Sequence, residues 1–136
     1  MPPPSPVVVD TDVFSFIFTE DPRADGYRPL LEGRIAALSF QSVAEALQGA
    51  YQRNWGSRRI ARLRAEMQKY VIVPFDMGMV DHFARLRAAR RREGREVETA
   101  DAWIAATALW VGCPIVTHNV GDFAGIDRLE LITHPG

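Results

Sequence analysis

Asp101-Ala-Trp-Ile-Ala-Ala-Thr-Ala-Leu-Trp-Val-Gly112, continued by Cys-Pro-Ile-Val-Thr117-His-Asn119-Val-Gly-Asp122-Phe123, decides the architecture of this chain. The first half is alanine-rich and apolar on all sides, as a buried helix is. Gly112 and Pro114 stop it. The second half reads as a short strand running into a polar loop. A helix leading into a strand is the repeating unit of an α/β fold. One carboxylate, Asp101, falls in the first turn of the helix, and another, Asp122, falls just past the strand. Acids walled in by apolar residues need a neutralising partner. A divalent metal ion fits that role.

Outward from this stretch, short apolar runs alternate with helical patterns. Val7-Val8-Val9-Asp10 reads as a buried first strand, followed by a helix over 13–18 that Asp12 is placed to cap. A polar helix over 24–32 leads to a second strand over 35–40. Ser42-Val-Ala-Glu45 then opens a helix and fits a capping box. A basic helix over 57–69 turns Ile60, Leu63 and Met67 inward. A third strand covers 70–75, a long helix covers 76–92, and a loop over 93–98 leads to Thr99 as cap of the alanine-rich helix. Strands over 114–117 and 129–132 complete the set. The expected fold is α/β, a three-layer arrangement with a mainly parallel five-stranded sheet flanked by helices. Sites in such sheets form past the carboxyl ends of strands where the strand order reverses.

Composition agrees with a single globular domain over 7–134, preceded by a proline-rich tail over 1–6 that is expected to be disordered. Of 136 residues, 47% are hydrophobic and 24% charged. Cys113 is alone, which excludes an intrachain disulfide and fits a reducing compartment. No apolar run is long enough for a membrane span and no secretory leader is visible, so the cytoplasm is expected. The net charge of −1 hides an asymmetry. Residues 53–95 carry twelve basic and four acidic side chains, and the remainder is acidic. An arginine-rich region beside an acidic cluster suits a metal site next to a phosphate-binding surface, or a solvated helical face.

Each acid has a second reading. Asp10 and Asp12 fit a turn and a helix cap. Glu45 fits the capping box. Asp101 fits the favourable end of a helix dipole. Asp122 fits the cap of a short turn. Together they occupy the positions where an α/β sheet places ligands.

With these residues in view, the chain resembles the PIN-domain ribonucleases, and among them the toxin subunits of VapBC-type toxin–antitoxin systems. The likeness is carried by Val7-Val8-Val9-Asp10-Thr11-Asp12, by Ser42-Val43-Ala44-Glu45, by Asp101 to Leu109, and by Val116 to Phe123. It implies an acidic quartet of Asp10, Glu45, Asp101 and Asp122, with Asp10, Asp101 and Asp122 toward Mg²⁺ or Mn²⁺. It implies polar support from Thr11, Asp12, Thr117 and Asn119. The implied activity is metal-dependent hydrolysis of RNA phosphodiester bonds, in transfer or ribosomal RNA. A cognate antitoxin, an RNA substrate and a homodimer are the implied partners. Arg85, Arg87, Arg90, Arg91, Arg92 and Arg95 are candidates for gripping RNA. Phe14, Phe16 and Phe18 on one short helix are a candidate antitoxin dock, or else core.

Two residues depart from the family pattern: Asp12 stands for asparagine and His118 for arginine. Two rival readings remain. Asp10-x-Asp12 after a strand resembles haloacid-dehalogenase-type phosphatases, with Ser39, Gly121-Asp122 and Asp127 imitating later motifs. Phe14, the position of Lys69 and the short chain oppose it. A non-catalytic PIN-like binding scaffold is the other, and the intact quartet opposes that.

Overall fold

Residues 4–134 are described by the structure, a computed structural model. Residues 1–3 of the expected tail lie outside them. The elements run β1 (Pro6–Val9), α1 (Thr11–Phe18), α2 (Ala24–Leu31), β2 (Ile35–Ser39), α3 (Phe40–Gln52), α4 (Ser57–Met67), β3 (Val71–Val73), α5 (Gly78–Arg92), α6 (Thr99–Val111), β4 (Ile115–Val116), α7 (Val120–Phe123) and β5 (Leu131–Ile132). The five strands form one sheet in the order β3-β2-β1-β4-β5. Every pair is parallel, with Val7 opposite Ala36 and Val9 opposite Val116.

Alternation along β1 explains the three layers. Val7 and Val9 enter one core with Val13, Phe14, Tyr27, Leu38, Leu63 and Met67. Val8 enters the opposite core with Met79, Ile104, Ala105, Ile115 and Phe123. Successive strand side chains point to opposite faces, so a strand covered on both sides reads as a continuous apolar run. All three valines are fully buried. Each is worth about 1.5–3 kcal/mol relative to exposure.

Helix α6 is buried from Ala102 to Ala108, apart from Trp103, which is half-buried. Gly112 ends it with φ +82°, a left-handed conformation that glycine adopts without steric penalty. The Cys113 N–H then returns to the Ala108 carbonyl, and the chain enters β4. Among the described residues, no helix is long and apolar enough to cross a membrane.

Several local expectations are corrected. Asp10, not Asp12, caps α1, which therefore starts at Thr11. Ser39 caps α3 through the Gln41 N–H, so Ser42 and Glu45 lie inside that helix and form no capping box. Thr99 is the first helical residue of α6 and Glu98 holds the cap position. Asp122 sits within the short helix α7 instead of capping a turn. α5 starts at Gly78 because Asp76 Oδ1 accepts the Gly78 N–H at 2.7 Å and turns the chain first.

Candidate active site

Strand order reverses between β2 and β4, which flank β1 on either side. The carboxyl ends of β1 and β4 therefore open into the crevice where ligands bind in such sheets. Asp10 stands at the end of β1 and Thr117 at the end of β4. The Thr117 hydroxyl donates to Asp10 Oδ2 at 2.7 Å, and the Thr11 N–H donates to Oδ1 at 2.8 Å. Asp10 is only 5% exposed.

Burial, then the neighbouring charge of Asp12, pushes the Asp10 carboxyl up to about 8, against the two hydrogen bonds that favour its ionised form; the charge of Asp101 adds to the rise. Asp12 is raised chiefly by burial. Its oxygens accept the Val13 N–H at 2.6 Å and the His118 N–H at 3.2 Å.

The remaining acids arrive from three helices. Glu45 projects from α3, where its Oε1 lies 3.2 Å from the Thr11 hydroxyl. That hydroxyl also meets Ser42 Oγ at 2.8 Å. Burial raises the Glu45 carboxyl, and the charges of Asp12 and Glu98 add to it. Asp101 occupies the first turn of α6. Burial first, then the charges of Asp122, Glu45, Glu98 and Asp12, lift it to about 6. Asp122 reaches the same field from α7. The structure thus brings all four quartet members and Asp12 into one electrostatic cluster. Glu98 joins them, although in the sequence it was only the end of a loop. Asn119 is exposed, and its backbone N–H donates to Thr117 Oγ1 at 3.0 Å.

Among the described residues, no three acid, histidine or cysteine side chains stand together closely enough to hold a metal ion as they are placed. The donor set nevertheless fits a hard divalent cation. It consists of carboxylate and hydroxyl oxygens alone, and its carboxylates are raised by mutual repulsion and burial. An open ring of acids suits an ion that keeps several of its waters, as Mg²⁺ does.

A family model described as PIN domain matches residues 7–129.

The chain belongs to the PIN-domain family.

Ribonuclease VapC5 of Mycobacterium tuberculosis is 31% identical over 128 residues, covering 91% of this chain and 90% of that protein. A tRNA(fMet)-specific endonuclease VapC of Shigella flexneri is 25% identical, covering 90% and 93% of the two chains. The crystal structure of VapBC2 from Rickettsia felis, bound to a DNA fragment from its promoter, superposes with a TM-score of 0.85 at 21% identity. It covers 96% of this PIN domain's chain and 99% of that one, and establishes the fold.

The arginines divide. Arg85 is exposed and paired with Asp81 at 2.6 Å, and Arg91 is exposed and paired with Glu96 at 3.1 Å. Arg87 lies over the Phe83 ring, and Arg92 and Arg95 are exposed. Arg90 is corrected: it is 4% exposed and donates to the Ala124 carbonyl, so it is unavailable to a substrate. Gly125, with φ +87°, leaves room for it; a β-carbon there would lie 2.8 Å from Arg90 Nη1.

The three phenylalanines divide: Phe14 is lost to the core, while Phe16 and Phe18 are only half-buried. Phe14 is in the core, stacked on Phe18 and edge-on to Tyr70. Phe16 packs against Tyr27 and His118, and Phe18 against Trp55. The phosphatase reading fails at Ser39, whose fully buried hydroxyl meets Thr107 Oγ1 at 2.8 Å and cannot reach a substrate.

Proposed function

We propose that this PIN-domain protein is a metal-dependent endoribonuclease and the toxin of a VapBC-type pair. One observation carries the reading: Asp10, Glu45, Asp101 and Asp122, from four separate elements, share one electrostatic cluster at the strand-order reversal. The names of the VapC relatives support it. Asp10 and Asp101 would hold Mg²⁺ or Mn²⁺, with Asp122 completing the shell through water. Such an ion polarises a phosphodiester and acidifies a bound water.

The chain's own residues do the rest. Thr117 and the Thr11 N–H keep the Asp10 carboxylate aimed into the crevice. Glu45, steadied by the Thr11 hydroxyl, accepts the proton of the attacking water. Its raised affinity for protons makes it a better base near neutral pH. As water adds to phosphorus, one P–O ester bond breaks and the departing oxygen takes a proton from solvent water. Exposed Arg91, Arg92 and Arg95 hold the RNA backbone without touching the reacting atoms.

The proposed substrate is a structured RNA, with transfer RNA first because one relative is named for it. The proposed partners are a small cognate antitoxin and a second copy of this chain. The exposed apolar side chains of Met77, Trp110 and Val111, grouped where Trp110 lies over Gly78, support a homodimer. The test is cleavage of transfer RNA by purified protein with Mg²⁺. Cleavage should stop with chelator and with Asp101→Asn. A protein that hydrolyses phosphomonoesters but leaves RNA intact overturns the reading.

A further inference from the structure

His118 is one of the two departures from the family pattern, and it contacts the other. Its backbone N–H is held by Asp12 Oδ2 at 3.2 Å. Its ring is fixed separately. Nδ1 lies 2.7 Å from the hydroxyl of Tyr27, a residue of α2 that is 1% exposed. Phe16 and Tyr27 both meet the ring edge-on, at 5.3 and 5.8 Å between centroids. The imidazole is therefore clamped through its backbone, one ring nitrogen and its faces. Only half-buried itself, it directly follows Thr117, the residue that grips Asp10.

The Tyr27 hydroxyl has one proton and three neighbours: His118 Nδ1 at 2.7 Å, Thr133 Oγ1 at 3.3 Å and the His134 carbonyl at 3.4 Å. Assigning the phenol proton to the shortest contact makes Nδ1 an acceptor and puts the ring proton on Nε2, with Thr133 free to donate to the phenol oxygen. Among the described residues nothing hydrogen-bonds Nε2, and it is no buried orphan, so it is open to solvent on a residue that adjoins Thr117. Arg23 lies over the Phe16 ring at 4.0 Å but is held by Asp21 in a two-point pair. His118 is thus the donor left free here.

We infer that His118 contacts the RNA through Nε2–H, donating to a phosphate oxygen next to the scissile linkage, and that Tyr27 is a positioning residue which fixes the histidine's tautomer. The inference rests on the proposed ribonuclease activity.

Five variants and one spectrum test it. His118→Ala and His118→Asn remove the donor at the Nε2 position and should raise KM for RNA ~10-fold with little change in kcat, as the loss of one charge-assisted hydrogen bond does. His118→Gln places an amide N–H near the Nε2 position and should recover most of that loss. Tyr27→Phe frees the tautomer and should raise KM ~3-fold. In the double variant Tyr27→Phe/His118→Gln the tyrosine no longer matters to KM, because an amide has no tautomer to fix. Nitrogen-resolved NMR of the imidazole, read without any cleavage, should show Nε2 protonated and Nδ1 accepting, with the mixture of tautomers appearing in Tyr27→Phe. Equal KM for wild type, Ala and Gln, or a proton on Nδ1, overturns the inference. A wild-type protein that cuts no RNA sinks the ribonuclease reading instead, and the spectrum still judges the Tyr27–His118 arrangement.

Discussion

The Thr117 hydroxyl donates to Asp10 Oδ2 at 2.7 Å, bonding the end of β4 to the end of β1 in the dry seam between them. The bond orients the least exposed acid of the cluster and favours its ionised form against the burial that opposes it. Thr117→Val keeps the shape and removes the donor. Hydrogen bonds to charged groups contribute about 1.5–3 kcal/mol. Mg²⁺ affinity, followed by calorimetric titration, should fall ~10-fold or more on that basis. Unchanged affinity would show that Asp10 needs no such support.

Asp10→Asn should separate stability from activity. In the presence of chelator, the substitution removes a group that must take up a proton, or bear a repelled charge, to be buried, so the melting temperature should rise. The Asp10→Asn/Asp101→Asn pair should rise further and lose the upward shift that Mg²⁺ gives the wild type. RNA cleavage should fall ~10²-fold or more, as when a group organising both charge and water is removed. A double variant that Mg²⁺ still stabilises refutes the metal site.

The metal-free protein should be more stable in mild acid than in base. Asp10 and Asp101 have folded-state values raised to about 8 and about 6, while unfolded aspartates titrate near 3.9. Between about pH 4 and 8 the folded state therefore binds more protons than the unfolded one, and stability falls as pH rises through that window. Urea unfolding in chelator at pH 5 and pH 8.5 measures it. Mg²⁺ should stabilise more at the higher pH, where protons no longer compete for the carboxylates.

The arginines of α5 should separate into two classes. Arg91→Ala/Arg92→Ala should weaken RNA binding and flatten its log–log salt dependence by roughly 0.7 per lost contact with a single strand. Arg90→Ala should instead leave the salt slope unchanged and cost about 1–3 kcal/mol of stability, since it strips the Ala124 carbonyl of its donor. Binding isotherms across salt, beside thermal melts, distinguish the two. A flattened slope for Arg90→Ala would return it to the RNA surface.

The sequence was most legible where the pattern is local. The β1 valines, the buried α6 and its stop at Gly112 follow from hydrophobic runs and a glycine, and the structure has them. The acids were legible as a set because each falls at the end of a strand or in a helix near one. The helix starts were not. Ser39 and Ser42 both offer a hydroxyl before α3, and Ser39 prevails because the strand end delivers it buried to Thr107 and Gln41. In Asp10-Thr11-Asp12, either aspartate suits the cap, and the first has it since β1 ends there. Arg90 looked like its neighbours in a basic run, and only the packing of α5 over the chain after α7 sets it apart. Tyr27 and His118 lie 91 positions apart, a separation no periodicity encodes.

The Asp10–Thr117 bond joins residues 107 positions apart. On the ribosome, β1 emerges well before β4, Thr117 and Asp122. The parallel pairing of β1 with β4 closes the crevice only once both are available. A growing chain therefore carries Asp10 without those partners until Thr117, 107 positions later, has been made. Chains halted before Thr117 are expected to be inert towards RNA. On the proposed toxin reading, the chain is harmless while it is being made, and an antitoxin has until Thr117 and Asp122 emerge to be waiting.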